Sequence, residues 1–169
     1  MLPSLYNLKA ILILNNNGQR VIARYYDEHF LTIKEQKEFE KVLFSKTSKS
    51  LASDHADVIM VDSLSAVFRS KIDLYFYVIG STVENEIILM SVLNCLFESV
   101  NEVLRKNVEK RVMLENLDFC MLIVDEICDN GIILEIDSSQ VIQRVCFKQE
   151  DNLPYSEQTV VDLLKSMLK

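Results

Sequence analysis

Between Leu8 and Leu14 the chain reads LKAILIL, apolar at both alternating sets of positions rather than at one. Successive side chains of a strand point to opposite faces, so a strand of this kind belongs to a sheet covered on both sides. Asn17-Gly18 follows at once. Both residues accept positive φ, which makes the pair a strong hairpin signal. QRVIARYY, ending at Tyr26, is then the returning strand.

The next segment, IKEQKEFEKVLFSK from Ile33, spaces Ile33, Phe39, Val42, Leu43 and Phe44 near one side of a charged helix. The Ser-rich stretch from Ser45 to Asp57 reads as a loop inside the domain. DVIMVD, SAVFRS and KIDLYFYVIG are three apolar-rich runs with short polar joints, expected as the third to fifth strands of an antiparallel sheet. Ser81 with Glu84 three residues later has the spacing of a capping box, which predicts a helix from beside Thr82 to about Leu104. Its broad apolar face holds Leu89, Met90, Val92, Leu93, Leu96, Phe97, Val100, Val103 and Leu104. Ile87 and Ile88 flank the polar side instead. Either a separate partner covers them, or a neighbouring segment of the same chain does. A second helix is expected from Glu109 to Asp129, with a break near Asn116 and a stop at Asn130-Gly131. GIILEI is extended, Ser138-Ser139 open a brief helix to Val145, and SEQTVVDLLKSMLK after Pro154 is an amphipathic helix clustering Val160, Leu164, Met167 and Leu168. The class is α+β: a five-stranded antiparallel sheet with helices on both faces and short C-terminal helices.

The strand–glycine–helix joint at Gly80 is also the layout of a phosphate cradle. Such a cradle needs several glycines and usually a lysine at the helix start. Here one glycine is followed by Ser81 and Thr82, and Glu84 and Glu86 stand where the anion would go. The joint reads as scaffold. The acidic group Asp125, Glu126 and Asp129 reads as a solvated helix face, and His29 beside Asp27 and Glu28 as a surface histidine in a polar turn. Cys95, Cys120, Cys128 and Cys146 form no CxxC pair, and only His29 and His55 could join them, so the expectation is buried, reduced thiols without a structural metal. No catalytic residue and no cofactor is expected.

A formal net charge of −7 argues against nucleic acid as the main partner. The basic group Arg105, Lys106, Lys110 and Arg111 has two readings: cations complementing a helix C-terminus, which is the simpler, or a patch facing anionic lipid. The N-terminal apolar run is too short for a signal peptide, Leu2 excludes N-myristoylation, and no stretch approaches the length of a membrane span, so a soluble cytoplasmic chain is expected.

Four blocks carry a family resemblance: KAILILNNNGQRVIARYYDE, KEQKEFEKVLFSKT, IDLYFYVIGSTVENEIILMSVLNCLFESVNEVLRKNVEKR and LIVDEICDNGIILE. Over about Lys9 to Val145 the chain resembles the zeta subunits of coatomer, the COPI vesicle coat. More distantly, LYFYVIG with ENE and VDEI–DNG are similar to the small sigma chains of clathrin adaptors. The resemblance implies a longin-like domain over residues 1–148, with one helix on one sheet face and two on the other. A C-terminal tail with an amphipathic helix then occupies 149–169. It also implies a non-enzymatic coat subunit acting in Golgi-to-ER retrograde and intra-Golgi transport. The gamma subunit would be the direct partner within the coatomer complex, and an Arf-family GTPase would recruit the assembly, so that membrane contact comes through the coat. Localisation would be cytoplasmic, peripheral on Golgi membranes and COPI-coated vesicles.

Candidate partner-interface residues are Ile87, Ile88, Val160, Leu164, Met167 and Leu168. Two other readings stay open. A cargo-reading adaptor chain would show an open apolar pocket beside Leu74 and Phe97, although Ile72 and Phe97 occupy the space such a pocket needs. A small nucleotide- or metal-dependent hydrolase would melt at higher temperature with its ligand.

Overall fold

A computed structural model of the chain describes residues 7–49 and 55–150. The hairpin signal at Asn17-Gly18 joins β1 (Leu8–Asn15) to β2 (Arg20–Tyr25). Gly18 takes φ +72°, and the Asn15 side-chain oxygen accepts the N–H groups of Asn17 and Gln19 at 2.9 and 3.0 Å. A single 3-10 turn, Glu28–Phe30, leads into α1 (Ile33–Thr47). β3 (Asp57–Val61), β4 (Leu64–Lys71) and β5 (Leu74–Ser81) complete an antiparallel sheet of five strands in the order β2-β1-β5-β4-β3. β1 lies between two hydrogen-bonded partners, and both faces of its sheet are covered, as its doubly apolar pattern requires.

Alternation separates two cores. Ile11 and Ile13 of β1, Val67 of β4 and Leu74, Phe76 and Val78 of β5 point to one face. Ala10, Leu12, Leu14, Ala66, Phe68, Tyr77 and Ile79 point to the other. The second face is covered by α1 through Phe39 and Leu43. The first carries α2 (Glu86–Val103), α4 (Leu117–Ile127) and α5 (Ser138–Glu150), with the short α3 (Lys110–Glu115) at their edge. Each fully buried Leu, Ile, Val or Phe side chain contributes about 1.5–3 kcal/mol, so both helix layers are held mainly by apolar burial.

Several boundaries differ from the sequence expectation. α2 starts at Glu86, not beside Thr82. The Ser81 carbonyl accepts the Glu84 N–H at 3.0 Å in a turn that closes β5, and Asn85 is the cap, its side chain accepting the Ile87 N–H at 2.9 Å. A true capping box forms at α1 instead, between Thr32 and Glu35. On α1 the inward residues are Phe39, Glu40, Leu43 and Thr47, while Ile33 and Val42 are exposed. The face is rotated because Glu40 is drawn inward: Arg20 Nη2 donates to it at 2.7 Å and the Tyr25 hydroxyl at 2.9 Å. Ser45 to Thr47, expected as loop, belong to α1, and Thr47 is buried with its hydroxyl 2.7 Å from that of Tyr77. Residues 50–54 of that loop lie outside the described part.

The break near Asn116 is present and separates α3 from α4. Asn130-Gly131 is not a helix stop but the turn of a small hairpin, β6 (Cys128–Asp129) with β7 (Ile132–Ile133). Both turn residues have positive φ, 47° and 85°, as a primed two-residue turn needs. α5 runs on to Glu150 instead of ending at Val145.

Candidate partner interface

The first turn of α2 presents the clearest surplus of apolar surface. Ile87 is fixed by the Asn85 cap below it and by the Ser91 hydroxyl, which donates to its carbonyl at 2.9 Å, yet its side chain is 74% exposed. Two residues before the cap, Val83 is 88% exposed. Ile88, expected to share this role, is half-buried. The two isoleucines are therefore not equivalent. Leu31 and Ile33 add a second exposed apolar step at the start of α1, 80% and 66% exposed. Val83 and Leu31 went unnoticed in the sequence. Their signal was an apolar residue stranded in a polar turn. Val160, Leu164, Met167 and Leu168 lie outside the described residues.

The space beside Leu74 and Phe97, where an open pocket would favour a cargo-reading chain, is filled. Leu74 is fully buried and Phe97 nearly so. Phe76 packs edge-on against Phe97 with centroids 5.4 Å apart, and the Arg69 guanidinium lies 3.9 Å over the Phe97 ring. Ile72 points away, 67% exposed at the β4–β5 turn.

Of the acidic group late in α4, Asp125 and Asp129 are exposed, as a solvated face would be, and Glu126 is not. Glu126 is 8% exposed, ion-paired with Lys148 and 4.0 Å from Arg144, whose other nitrogen pairs with Glu135 at 3.1 Å. It clamps α5 onto α4. Asp125 reaches across to Arg24 at 3.3 Å. Among the described residues no three His, Cys, Asp or Glu side chains converge on a metal-sized point. All four cysteines are buried and unbridged. Burial pushes the thiols up, Cys95 and Cys128 to about 11 and Cys120 to about 12, so they stay protonated at neutral pH. The helices described include none long and apolar enough to cross a membrane.

The basic group divides. Arg105 and Lys106 follow the C-terminus of α2, both with positive φ, and the Lys106 N–H returns to the Asn101 carbonyl at 2.7 Å. Lys110 and Arg111 open α3 and do not themselves stand in the last turn of a helix. The Asp73 carboxylate accepts the Lys110 N–H at 2.9 Å.

Comparison with known proteins places this architecture. The family model of the clathrin adaptor complex small chain matches residues 7–152. Human coatomer subunit zeta-1 is 53% identical over 164 residues, 97% of this chain and 90% of that protein. The chain belongs to the coatomer zeta-subunit family. Human zeta-2 is 50% identical over 97% of the chain and 76% of its own length, and Arabidopsis thaliana zeta-1 is 41% identical over 93% and 89%. In shape the zeta-family chain is also similar to a chain in a homology model of the full-length AP-3 complex in a stretched open conformation. The TM-score is 0.67 at 15% identity, covering 85% of this chain and 94% of the other. That likeness concerns the fold, and it agrees with the adaptor-type small-chain architecture described above.

Proposed function

We propose that this chain is a non-catalytic structural subunit of the COPI coat, held by the coatomer gamma subunit and acting in Golgi-to-ER retrograde and intra-Golgi vesicle transport. The observation that carries the reading is the 53% identity to coatomer subunit zeta-1 across 97% of the chain. The exposed apolar residues give it a physical basis: a small subunit held by a large one has an apolar surface resembling a divided core. Ile87 anchors the proposed interface, with Val83 beside it and Ile88 at its inner margin. The apolar positions Val160, Leu164, Met167 and Leu168 of the C-terminal tail remain part of the proposal. The other coatomer subunits would join through gamma, an Arf-family GTPase would recruit the assembly, and the chain would be cytoplasmic and peripheral on Golgi membranes and COPI-coated vesicles.

The test is to tag the chain, purify it gently from its own cytosol and identify stoichiometric companions by mass spectrometry. A coatomer set led by the gamma subunit is expected. Recovery of the chain alone, or with clathrin-adaptor large chains, would overturn the reading.

A further inference from the structure

The corner formed by the β4–β5 turn and the α2–α3 link has features that folding does not call for. Within residues 105–111 lie four cations, Arg105, Lys106, Lys110 and Arg111, against one carboxylate, Glu109, in a chain whose net charge is −7. Val108, between the two basic pairs, is fully buried and pins the link to the body. Arg105 and Lys106 are exposed. Arg111 is 87% exposed, and its ion pair with Glu115 joins two solvated side chains at 3.3 Å. Two cations at the start of α3 oppose its dipole.

The β4–β5 turn is locked to the same corner, because Asp73 accepts the Lys110 N–H at 2.9 Å. At its tip Ile72 holds φ 54° and is 67% exposed. A β-branched residue in that region of backbone space is an outlier, and Asn or Gly would serve the turn better. Three of the five positive-φ residues other than glycine among the described residues, Ile72, Arg105 and Lys106, belong to this corner. Beside the turn, Asp73, Lys110, Arg111, Leu114 and Glu115 line an open concavity of about 500 Å³, with Leu114 half exposed.

A rigid basic rim around an exposed aliphatic tip matches an anionic bilayer surface, where headgroups attract the cations and a single side chain enters the interface. We propose that this corner binds anionic membrane directly, with Arg105, Lys106, Lys110 and Arg111 on the headgroups and Ile72 at the acyl boundary. This contact is additional to recruitment through the rest of the coat and does not depend on which large subunit holds the chain.

The experiment is flotation of the purified full-length chain with phosphatidylcholine vesicles made with and without phosphatidylserine. Binding that requires phosphatidylserine and falls with added salt is expected. Each basic side chain neutralised, Arg105→Gln, Lys106→Gln, Lys110→Gln or Arg111→Gln, is expected to lower partitioning about fivefold, and Ile72→Ser to weaken it without changing its salt dependence. Thermal melts identify variants that still fold. Three outcomes would overturn the proposal: equal binding to neutral vesicles, unchanged binding by the folded charge variants, or equally tight capture by soluble polyglutamate. The last would assign the corner to an acidic peptide.

Discussion

Glu126 is one carboxylate among three near the end of α4, and nothing in its immediate neighbours marks it out. Its partners, Arg144 and Lys148, stand 18 and 22 residues further on, so only the packing of α5 against α4 reveals them. Because both cations are about half exposed, they regain water when the acid is removed. The cost of Glu126→Ala is then that of lost charge-assisted bonds, about 1–2 kcal/mol in urea unfolding, not the larger penalty of a stranded buried ion. The thiols were legible: four scattered cysteines without metal-ligand spacing are indeed buried. The pKa values of Cys95, Cys120 and Cys128, raised from an ordinary 9 to about 11–12, mean that the folded chain keeps protons which the unfolded chain has released. The contribution of these groups is therefore fully present below about pH 9 and is lost as pH rises from there toward 12. A stability–pH profile should show that decline. Thiol reagents should leave the native protein unlabelled at pH 8 while labelling it in urea.

At the scale of elements, the strands of the large sheet and the broad face of α2 could be read from periodicity, whereas helix ends and rotations could not. Ser81 and Glu84 have the spacing of a capping box but are used in a turn, while Thr32 and Glu35, with the same spacing, form the box. The Thr32 backbone N–H donates to the Glu35 carboxylate and holds its pKa below the ordinary value. Thr32→Ala should cost about 1 kcal/mol, measurable as a shift of the urea midpoint at constant slope. The rotation of α1 depends on Arg20 and Tyr25 drawing Glu40 inward, a pairing between distant segments that an apolar count cannot register. Asn130-Gly131 shows the same limit. The dipeptide suits a helix stop or a hairpin turn, and the choice is made by pairing of Cys128 with Ile133. At Gly131, φ is 85° and an added Cβ would stand 2.8 Å from the Leu8 carbonyl oxygen. Gly131→Ala should therefore destabilise by more than about 1 kcal/mol. At Gly80 a Cβ would meet only the Leu89 side chain, at 2.9 Å, and Gly80→Ala should cost less because that side chain can yield.

For the whole molecule, the demand set by LKAILIL was met: a central strand, a single helix on one face and a helical layer on the other. The candidate interface was legible only in part. Ile87 is exposed as its place on the polar side suggested, but Ile88 is half-buried, because Val92 and Cys95 of the buried face lie four and seven residues on from it. Surface hydrophobicity in turns, at Val83 and Leu31, carries no periodic signal at all. Ile87→Asp should leave the melting temperature of the isolated chain unchanged, since the side chain touches little within the domain. Its affinity for the large subunit should fall at least about tenfold, in the range of an interface anchor. The proposed role makes this chain the small partner of a coat's large subunit. Co-expression with the coatomer gamma subunit, followed by size-exclusion chromatography with light scattering, tests it most directly. A 1:1 heterodimer that Ile87→Asp weakens is expected. A chain that elutes alone as a folded monomer, with gamma in a separate peak, would contradict it.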